Sequence, residues 1–258
     1  MSKKKTFITM ALVLAIGASF ALAQQPPQPA PQAGQAPPAK PPETRPVTVM
    51  QPMPDFTLPA LDGGEVTLSA LRGRNVMIIF SRGYAAENHW CTICQYQYAE
   101  LVMRELRDKV REKYGMEVLF VLPYGKDTVQ AWRDIIPEQL ESIKKTKYPA
   151  DPSTLDEAAR RGAERYKRFY PLDLARADIE AKPGELARPF PVLMDAERTL
   201  VKRLGVFAAE WGGSKVDQGI PSVFIVDRDG ILRFKYIGQN TIDRPSYDYL
   251  FKVLECTK

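Results

Sequence analysis

The chain has 258 residues, of which 45% are hydrophobic and 26% charged, and its formal net charge is +5. This composition supports a globular core and excludes a fibrous, collagen-like or wholly disordered chain. Three of the positive charges are consecutive lysines near the start. The rest of the chain is therefore nearly neutral, and we expect no nucleic-acid partner.

The first 23 residues have the pattern of a secretory signal peptide. Three lysines at residues 3–5 precede an apolar run over residues 7–22, which ends in Ala21-Leu22-Ala23. This is the order of parts that export signals share. The run is interrupted by Gly17 and is short for a bilayer crossing, which needs about 20 apolar residues. We expect cleavage after Ala23, with an uncleaved N-terminal anchor as the alternative.

Export determines how the remaining chain is interpreted. A cleaved protein has no stable membrane insertion, and the expected location is a periplasm, where thiols are oxidised. Residues 24–47 contain nine of the 22 prolines, mixed with Gln and Ala. Such a segment cannot bury apolar surface, so we predict a disordered, extended tether. The folded domain is predicted over residues 48–258.

The first half of this domain predicts a strand–helix–strand unit after a hairpin. In chain order, the predicted elements are a hairpin of residues 55–58 and 65–68, a buried strand over 76–80, a helix over 94–114 that ends at Gly115, and a buried strand over 117–122. A strand–helix–strand connection in one sheet is right-handed and places its two strands parallel.

The second half predicts a helical insertion and then a return to the sheet. The insertion is predicted over residues 125–188, with helices over 129–136, 137–147 and 155–169. The elements that follow are a strand over 190–195, a helix over 197–204, antiparallel strands over 222–226 and 232–237, and a final helix from about Pro245. The predicted fold class is α/β, with a mixed sheet flanked by helices on both faces.

The segment Trp90-Cys91-Thr92-Ile93-Cys94 lies between a predicted strand and the helix that follows. Cysteines three apart at a helix start lie about one turn apart and can form a disulfide. The free N–H groups and partial positive charge of the helix start favour a thiolate, which is the reactive form. We expect Cys91 to be the exposed nucleophile and Cys94 to be the deeper, resolving cysteine.

Two other interpretations of this pair remain open. The pair is half of a zinc site only if two further ligands join it, and the remaining candidates are His89 and Cys256. It is an inert structural disulfide if neither sulfur is reactive. We predict a redox pair and no metal.

A second candidate element is Gly219-Ile220-Pro221-Ser222, directly before a predicted strand. Proline lacks an N–H and suits the first position of a strand. If the Ile220–Pro221 bond is cis, the Ile220 backbone lies beside the disulfide, and its free N–H and C=O can pair with an extended substrate. The alternative is an ordinary trans turn proline.

Other residues near the pair have smaller expected roles. His89 or Glu87 could transfer protons. The alternative is that each is an ordinary solvated loop residue. Trp90 is expected to pack beside the disulfide and contact substrate. Cys256 follows an apolar helical position, so we expect a small buried residue, with a second resolving or intermolecular cysteine as the alternative.

The order of elements and several motifs resemble the thioredoxin fold, in the redoxin or peroxiredoxin-like (AhpC/TSA) branch. The motifs are Met53–Leu58, Leu71–Arg74, Phe224–Gly230 and Arg244–Tyr247. The resemblance covers residues 51–124 and 189–256 and leaves the insertion unmatched. It implies an antioxidant-type thiol-dependent oxidoreductase without a metal or organic cofactor, which receives electrons from a partner thiol protein.

The sequence departs from the peroxide-cleaving pattern of this branch. Peroxiredoxins have Pro-x-x-x-Thr/Ser-x-x-Cys before the reactive cysteine, whereas Asn88 and Tyr84 hold those places relative to Cys91. Relative to Cys94 they are held by Cys91 and Glu87. Pro221 stands where the branch has its peroxide-binding arginine.

These departures order the candidate functions. The sequence predicts a thiol–disulfide oxidoreductase first. A peroxide reductase that forms a sulfenic acid at Cys91 comes second. A non-catalytic binding module with a structural disulfide comes third.

Overall fold

The computed structural model describes residues 47–147, 151–169, 180–182 and 185–257. The predicted signal peptide and almost all of the predicted tether lie outside the described residues. No helix in the described part has the length and apolar character that a bilayer crossing requires.

The described residues form thirteen strands and seven α-helices. The strands are β1 (Thr57–Pro59), β2 (Glu65–Thr67), β3 (Asn75–Phe80), β4 (Tyr84–Ala86), β5 (His89–Trp90), β6 (Met116–Leu122), β7 (Glu180–Lys182), β8 (Glu185–Leu186), β9 (Val192–Met194), β10 (Phe207–Ala208), β11 (Gln218–Gly219), β12 (Ser222–Val226) and β13 (Leu232–Ile237). The helices are α1 (Thr92–Asp108), α2 (Val110–Tyr114), α3 (Lys126–Asp134), α4 (Ile136–Lys147), α5 (Glu157–Phe169), α6 (Thr199–Arg203) and α7 (Tyr247–Glu255).

A five-stranded mixed sheet carries the fold, with the strand order β13-β12-β3-β6-β9. Strand β3 is parallel to β6, and β6 is parallel to β9. Strand β12 runs antiparallel to both β3 and β13. The predicted α/β class, the parallel strand–helix–strand unit and the final antiparallel hairpin are confirmed.

Two apolar clusters lie on opposite faces of this sheet, because side chains alternate along each strand. Met77 and Ile79 of β3 face a cluster that includes buried residues of α1, α3, α4 and α7. Val76, Ile78 and Phe80 face a second cluster with β1 and α6. The sheet is thus buried on both faces, as the uninterrupted apolar runs of β3 and β6 predict.

The long helix predicted after Cys94 is divided in two. Lys109 has a left-handed backbone (φ 47°), and its N–H donates to the Glu105 carbonyl, which ends α1. Helix α2 follows at once and ends at Gly115, also left-handed, as predicted. A lysine gives no sequence signal of a helix end, whereas a glycine does.

The first part of the predicted insertion is helical, with boundaries shifted by up to three residues. Helix α4 packs against α1, and α5 packs against α4. The buried guanidinium of Arg133 on α3 binds both carboxylate oxygens of Asp62 in the β1–β2 turn, at 2.7 and 2.6 Å. The insertion is therefore joined to the sheet domain by an ion pair as well as by apolar packing.

Candidate active site

Cys91 and Cys94 meet at the start of α1. Cys91 has an extended backbone and precedes the first helical residue, while Cys94 lies in the first turn. Their Sγ atoms are 3.2 Å apart, as the spacing predicts, and both thiols are free. An S–S bond of about 2.05 Å therefore needs the two sulfurs to approach by only about 1 Å.

Both thiols are buried, which corrects the prediction that Cys91 is exposed. Cys91 is 3% exposed and Cys94 is 2% exposed. The β4–β5 hairpin precedes the pair, and its Tyr84 and Trp90 rings stack with centroids 4.0 Å apart and pack against the cluster that holds both cysteines. The segment between β3 and Cys91 forms this hairpin.

Cys94 is the sulfur that the surroundings hold as a thiolate. Its Sγ accepts the backbone N–H of Arg82 at 3.3 Å and lies 3.7 Å from Arg244 Nη2. Burial raises the pKa of Cys94, but the hydrogen bond from Cys91, the charge of Arg244 and the Arg82 N–H outweigh it, so the pKa is lowered. At neutral pH the reduced pair therefore carries its negative charge on Cys94.

Cys91 retains the proton of the pair. Its hydrogen bond to Cys94 raises the pKa of Cys91 well above the usual thiol value, and burial and the Cys94 charge act in the same direction. The sequence predicts Cys91 as the nucleophile, whereas the surroundings in the structure favour the thiolate at Cys94. The helix start affects both sulfurs, whereas only Cys94 has Arg82 and Arg244 as donors.

Arg82 connects the cysteine pair to a distant segment. Its guanidinium is buried, with Nε donating to Gln218 Oε1 at 2.6 Å and Nη2 to Ser214 Oγ at 3.0 Å. Nη2 also lies 3.3 Å from the Ala85 carbonyl, and the guanidinium lies over the Trp211 ring at 5.4 Å. These contacts join the β4–β5 hairpin to residues 211–218.

Two glycines allow close approaches around Arg82, one to the Tyr124 ring and one to the Ser81 backbone. Gly83 has φ +73°, and a Cβ there would lie 2.1 Å from the Tyr124 ring. A Cβ on Gly219 would lie 2.4 Å from the Ser81 carbonyl oxygen. The Gly219 N–H donates to the Arg82 carbonyl at 3.0 Å, so β11 lies directly beside the residue that contacts Cys94.

The Ile220 N–H and C=O are not free as the predicted pairing with a substrate requires, and a substrate contact of Ile220 or Pro221 stays a prediction. The Ile220 N–H donates to the Val206 carbonyl at 2.8 Å, and its C=O accepts the Ser222 hydroxyl at 2.8 Å. Pro221 is buried and follows a trans peptide bond. The open alternative of a trans turn proline is the one observed, with both backbone groups of Ile220 already paired.

Glu87 lies in the turn of the β4–β5 hairpin, His89 is the first residue of β5, and both are exposed. The His89 Nδ1 lies 2.8 Å from the Glu87 carbonyl oxygen, so this contact is internal to the hairpin. A proton-transfer role for either side chain stays a prediction. Trp90 is partly buried against the apolar cluster to which both cysteines belong, and its expected contact with substrate stays a prediction.

Cys256 is exposed at the C-terminal cap of α7, so the expectation of a buried residue is wrong. Within the described ranges, no three His, Cys, Asp or Glu side chains are grouped so as to hold a metal ion.

Sequence reasoning missed Gln218 and Tyr124 and did not single out the side chain of Arg82. The Tyr124 hydroxyl lies 3.2 Å from the Arg82 carbonyl and donates to the Asp217 carbonyl at 2.8 Å. Gln218 is 136 residues from Arg82 along the chain, and no local pattern connects the two. Arg82-Gly83 before Trp90 was the only available signal.

Two kinds of comparison, with a family model and with solved structures, found similar proteins. The model of the AhpC/TSA family matches residues 49–154, a range that includes the first part of the predicted insertion. The reduced 2-Cys peroxiredoxin of Plasmodium vivax is 18% identical with a TM-score of 0.50, and the match covers 81% of each chain.

Two further structures are similar. Peroxiredoxin 6 of Arenicola marina is 12% identical with a TM-score of 0.51, covering 81% of this chain and 72% of that one. AhpC of Mycobacterium tuberculosis is 17% identical with a TM-score of 0.49, covering 82% and 93%. A search of curated protein sequences found no match.

Proposed function

We propose that this chain is a thiol-dependent oxidoreductase similar to the AhpC/TSA family, whose model matches residues 49–154, and that it exchanges disulfides through Cys91 and Cys94. The observation that carries the proposal is the 3.2 Å separation of the two Sγ atoms at the start of α1. Two free thiols at this distance can become one disulfide without rearrangement of the helix.

Cys94 is proposed as the attacking sulfur, in place of Cys91. The Cys94 thiolate attacks one sulfur of a substrate disulfide, and the other substrate sulfur leaves as a thiolate. Cys91 then attacks Cys94 Sγ and loses its proton to a leaving thiolate. The pair ends as a disulfide, the substrate gains two electrons, and a donor thiol protein restores the dithiol by the reverse exchange.

Burial of both sulfurs imposes a condition on this reaction. Because Cys94 is 2% exposed, a protein disulfide reaches its Sγ only if a neighbouring segment moves. We propose that this segment is the β4–β5 hairpin, which directly precedes the pair. Residues 84–90 form a two-stranded hairpin that lies outside the central sheet. Its displacement therefore breaks no hydrogen bond of that sheet.

Burial also favours a second candidate, reduction of a small hydroperoxide. A peroxide needs less opening than a protein, and the Arg244 guanidinium beside Cys94 can stabilise the oxygen that departs with negative charge. Cys94 would become a sulfenic acid as the peroxide is reduced to an alcohol or water. Cys91 would then displace water and form the same disulfide.

Insulin reduction with dithiothreitol as electron source tests the first candidate. We expect turnover by the wild type and its loss in Cys91→Ser and Cys94→Ser, with Cys256→Ser as the matched control. Full turnover by Cys94→Ser would contradict the proposal. Trapping of a sulfenic acid at Cys94 in Cys91→Ser, with rapid peroxide consumption and no insulin turnover, would select the second candidate.

Export is part of the proposal, supported by the lysines, apolar run and Ala21-Leu22-Ala23 of the N-terminus. In an oxidising compartment, thiols tend to become disulfides, so the Cys91–Cys94 pair needs an electron-donor protein to return to the dithiol. Expression of the full chain in a Gram-negative host tests this. We expect a periplasmic protein whose measured mass corresponds to a chain that begins at Gln24. A full-length cytoplasmic product would contradict export.

A further inference from the structure

We propose that Arg82 is a positioning residue: its buried guanidinium, held by residues 211–218, fixes the Arg82 backbone N–H against Cys94 Sγ. Residues 211–218 would then control the reactivity of a sulfur that they do not touch. This inference rests on the proposed function, in which Cys94 is the attacking sulfur.

The backbone of Arg82 is held on both sides. Its N–H donates to Cys94 Sγ, and its carbonyl accepts the Gly219 N–H at 3.0 Å. Two residues further along the chain, the Tyr84 N–H donates to the Tyr124 hydroxyl at 3.1 Å. A short stretch after β3 is therefore immobilised, and the donor aimed at Cys94 has one orientation.

The side chain supplies the second anchor. Its Nε donates to Gln218 and its Nη2 to Ser214, and the Ser214 hydroxyl also hydrogen-bonds the Ala85 carbonyl. Gln218 is fully buried, and its own Nε2 donates to the Ser214 and Val216 carbonyls at 3.2 and 3.0 Å. The guanidinium thus fits into a preformed set of acceptors, which requires the fixed fork of arginine donors.

The nature of these acceptors separates Arg82 from an ordinary buried ion pair. Arg82 and Arg133 are both 4% exposed, and Arg133 is neutralised by the Asp62 carboxylate. The acceptors described for Arg82 are an amide, a hydroxyl and carbonyls, with no carboxylate among them. Burying a guanidinium among neutral groups is costly. A role in positioning the Arg82 N–H at Cys94 accounts for a guanidinium that is buried at this cost.

The charged and titratable groups that interact with Cys94 come from four elements. They are Cys91 at the start of α1, Arg244 before α7, Tyr124 after β6 and Tyr247 on α7. None of these four lies in residues 211–218. A change in that segment can therefore reach Cys94 by two routes: through Arg82 with its adjoining backbone, and through Tyr124, whose hydroxyl donates to the Asp217 carbonyl. A change of the Gln218 side chain acts on the first route, because the Tyr124 contact is to a main-chain carbonyl.

The test measures the pKa of Cys94 by thiolate absorbance at 240 nm, in a reduced full-length Cys256→Ser parent. Gln218→Ala removes the 2.6 Å anchor of Arg82 and leaves every group that touches Cys94 unchanged. We expect the pKa of Cys94 to rise by about 0.5 to 1 unit, since a hydrogen bond to a charged group is worth about one pKa unit. Insulin turnover below neutral pH should fall correspondingly.

Three further variants separate positioning from charge and from folding. Arg82→Lys keeps the charge but loses the fork, so we expect a rise of about one unit rather than rescue. Ser214→Ala should give a smaller rise. Arg133→Lys changes an equally buried arginine whose guanidinium binds Asp62. It is the matched control and should leave the Cys94 pKa unchanged.

The outcomes distinguish this inference from the proposed function. If the wild-type protein has neither a thiolate of low pKa nor insulin turnover, the proposed function is wrong. A wild type with both, and folded Gln218→Ala and Arg82→Lys variants that titrate like it, overturns only the positioning role. Full rescue by Arg82→Lys would assign the effect to charge and overturn it as well.

Discussion

Two buried arginines hold two regions of the molecule together in different ways. Arg133 joins α3 to the β1–β2 turn through the carboxylate of Asp62, so its charge is neutralised within the contact. Arg82 joins the β4–β5 hairpin to residues 211–218 through neutral acceptors. The first contact attaches an insertion to the sheet domain, and the second positions a donor on a reactive sulfur. The partners of a buried arginine therefore indicate its role better than its burial does.

The largest expected effect in this comparison is that of Gly219→Ala. The new Cβ would lie 2.4 Å from the Ser81 backbone oxygen, and neither backbone can move without disturbing Arg82. We expect a loss of about 3 kcal/mol in the free energy of unfolding, as for severe overpacking, together with a raised Cys94 pKa. Urea denaturation of the reduced protein measures the stability.

The control for this change is Gly125→Ala, at the start of α3 in the other region. Its Cβ meets nothing within 4 Å, and its φ of −77° is open to alanine. Gly125 is the N-cap of α3, where glycine is preferred to alanine, so we expect a loss of about 1 kcal/mol, well below that of Gly219→Ala. Equal effects of the two substitutions would contradict the close approach at β11.

Arg133→Met is expected to lower stability by about 2 kcal/mol without changing insulin turnover. It removes the closer cationic partner of Asp62 and leaves Arg188 at 3.8 Å. The carboxylate is also 45% exposed and regains water, so the cost is below that of a fully buried orphaned charge. Thermal or urea unfolding and the insulin assay measure the two properties. A parallel loss of turnover in folded protein would show that the two regions are not independent.

The pH dependence of Cys94 gives an intermediate effect. Its folded-state pKa is lowered, so the thiolate contributes stability that is present above the unfolded pKa and is lost as pH falls through the folded pKa. Below the folded pKa, alkylation of Cys94 should slow about tenfold per pH unit, or about 1.4 kcal/mol. Peptide mass spectrometry after iodoacetamide treatment locates the reaction.

Cys91 is the internal comparison for this experiment. Its pKa is raised, so it should remain a thiol at pH values where Cys94 is alkylated. Preferential alkylation of Cys91 at neutral pH would return the nucleophile to Cys91 and refute the charge assignment.

The smallest expected effect is that of Trp90→Ala on access to the pair. Loss of the 4.0 Å stack with Tyr84 should favour opening of the hairpin by about 0.5 to 1.5 kcal/mol. We therefore expect alkylation of Cys94 to accelerate about 2- to 10-fold. Tyr114→Ala removes a similar stack, with Phe251 at 4.7 Å, but away from the hairpin, and should leave the rate unchanged.

Local patterns in the sequence were enough for the sheet and for the sulfur pair. The apolar runs of β3 and β6 predict buried parallel strands, and the Cys-x-x-Cys spacing at a helix start places two sulfurs one turn apart. Both follow from the geometry of neighbouring residues. The same holds for the end of α2 at Gly115, whose left-handed backbone favours glycine.

Only the tertiary structure decided which sulfur is anionic and whether either is exposed. The donors at Cys94 come from Arg82 and from Arg244, which is 150 residues away along the chain. Both sulfurs are buried, although the motif alone predicts an exposed nucleophile. Electric fields and burial depend on distance in space, and a linear pattern does not contain those distances. The sequence therefore determined that two thiols would meet, and the packing of remote segments determined what each of them can do.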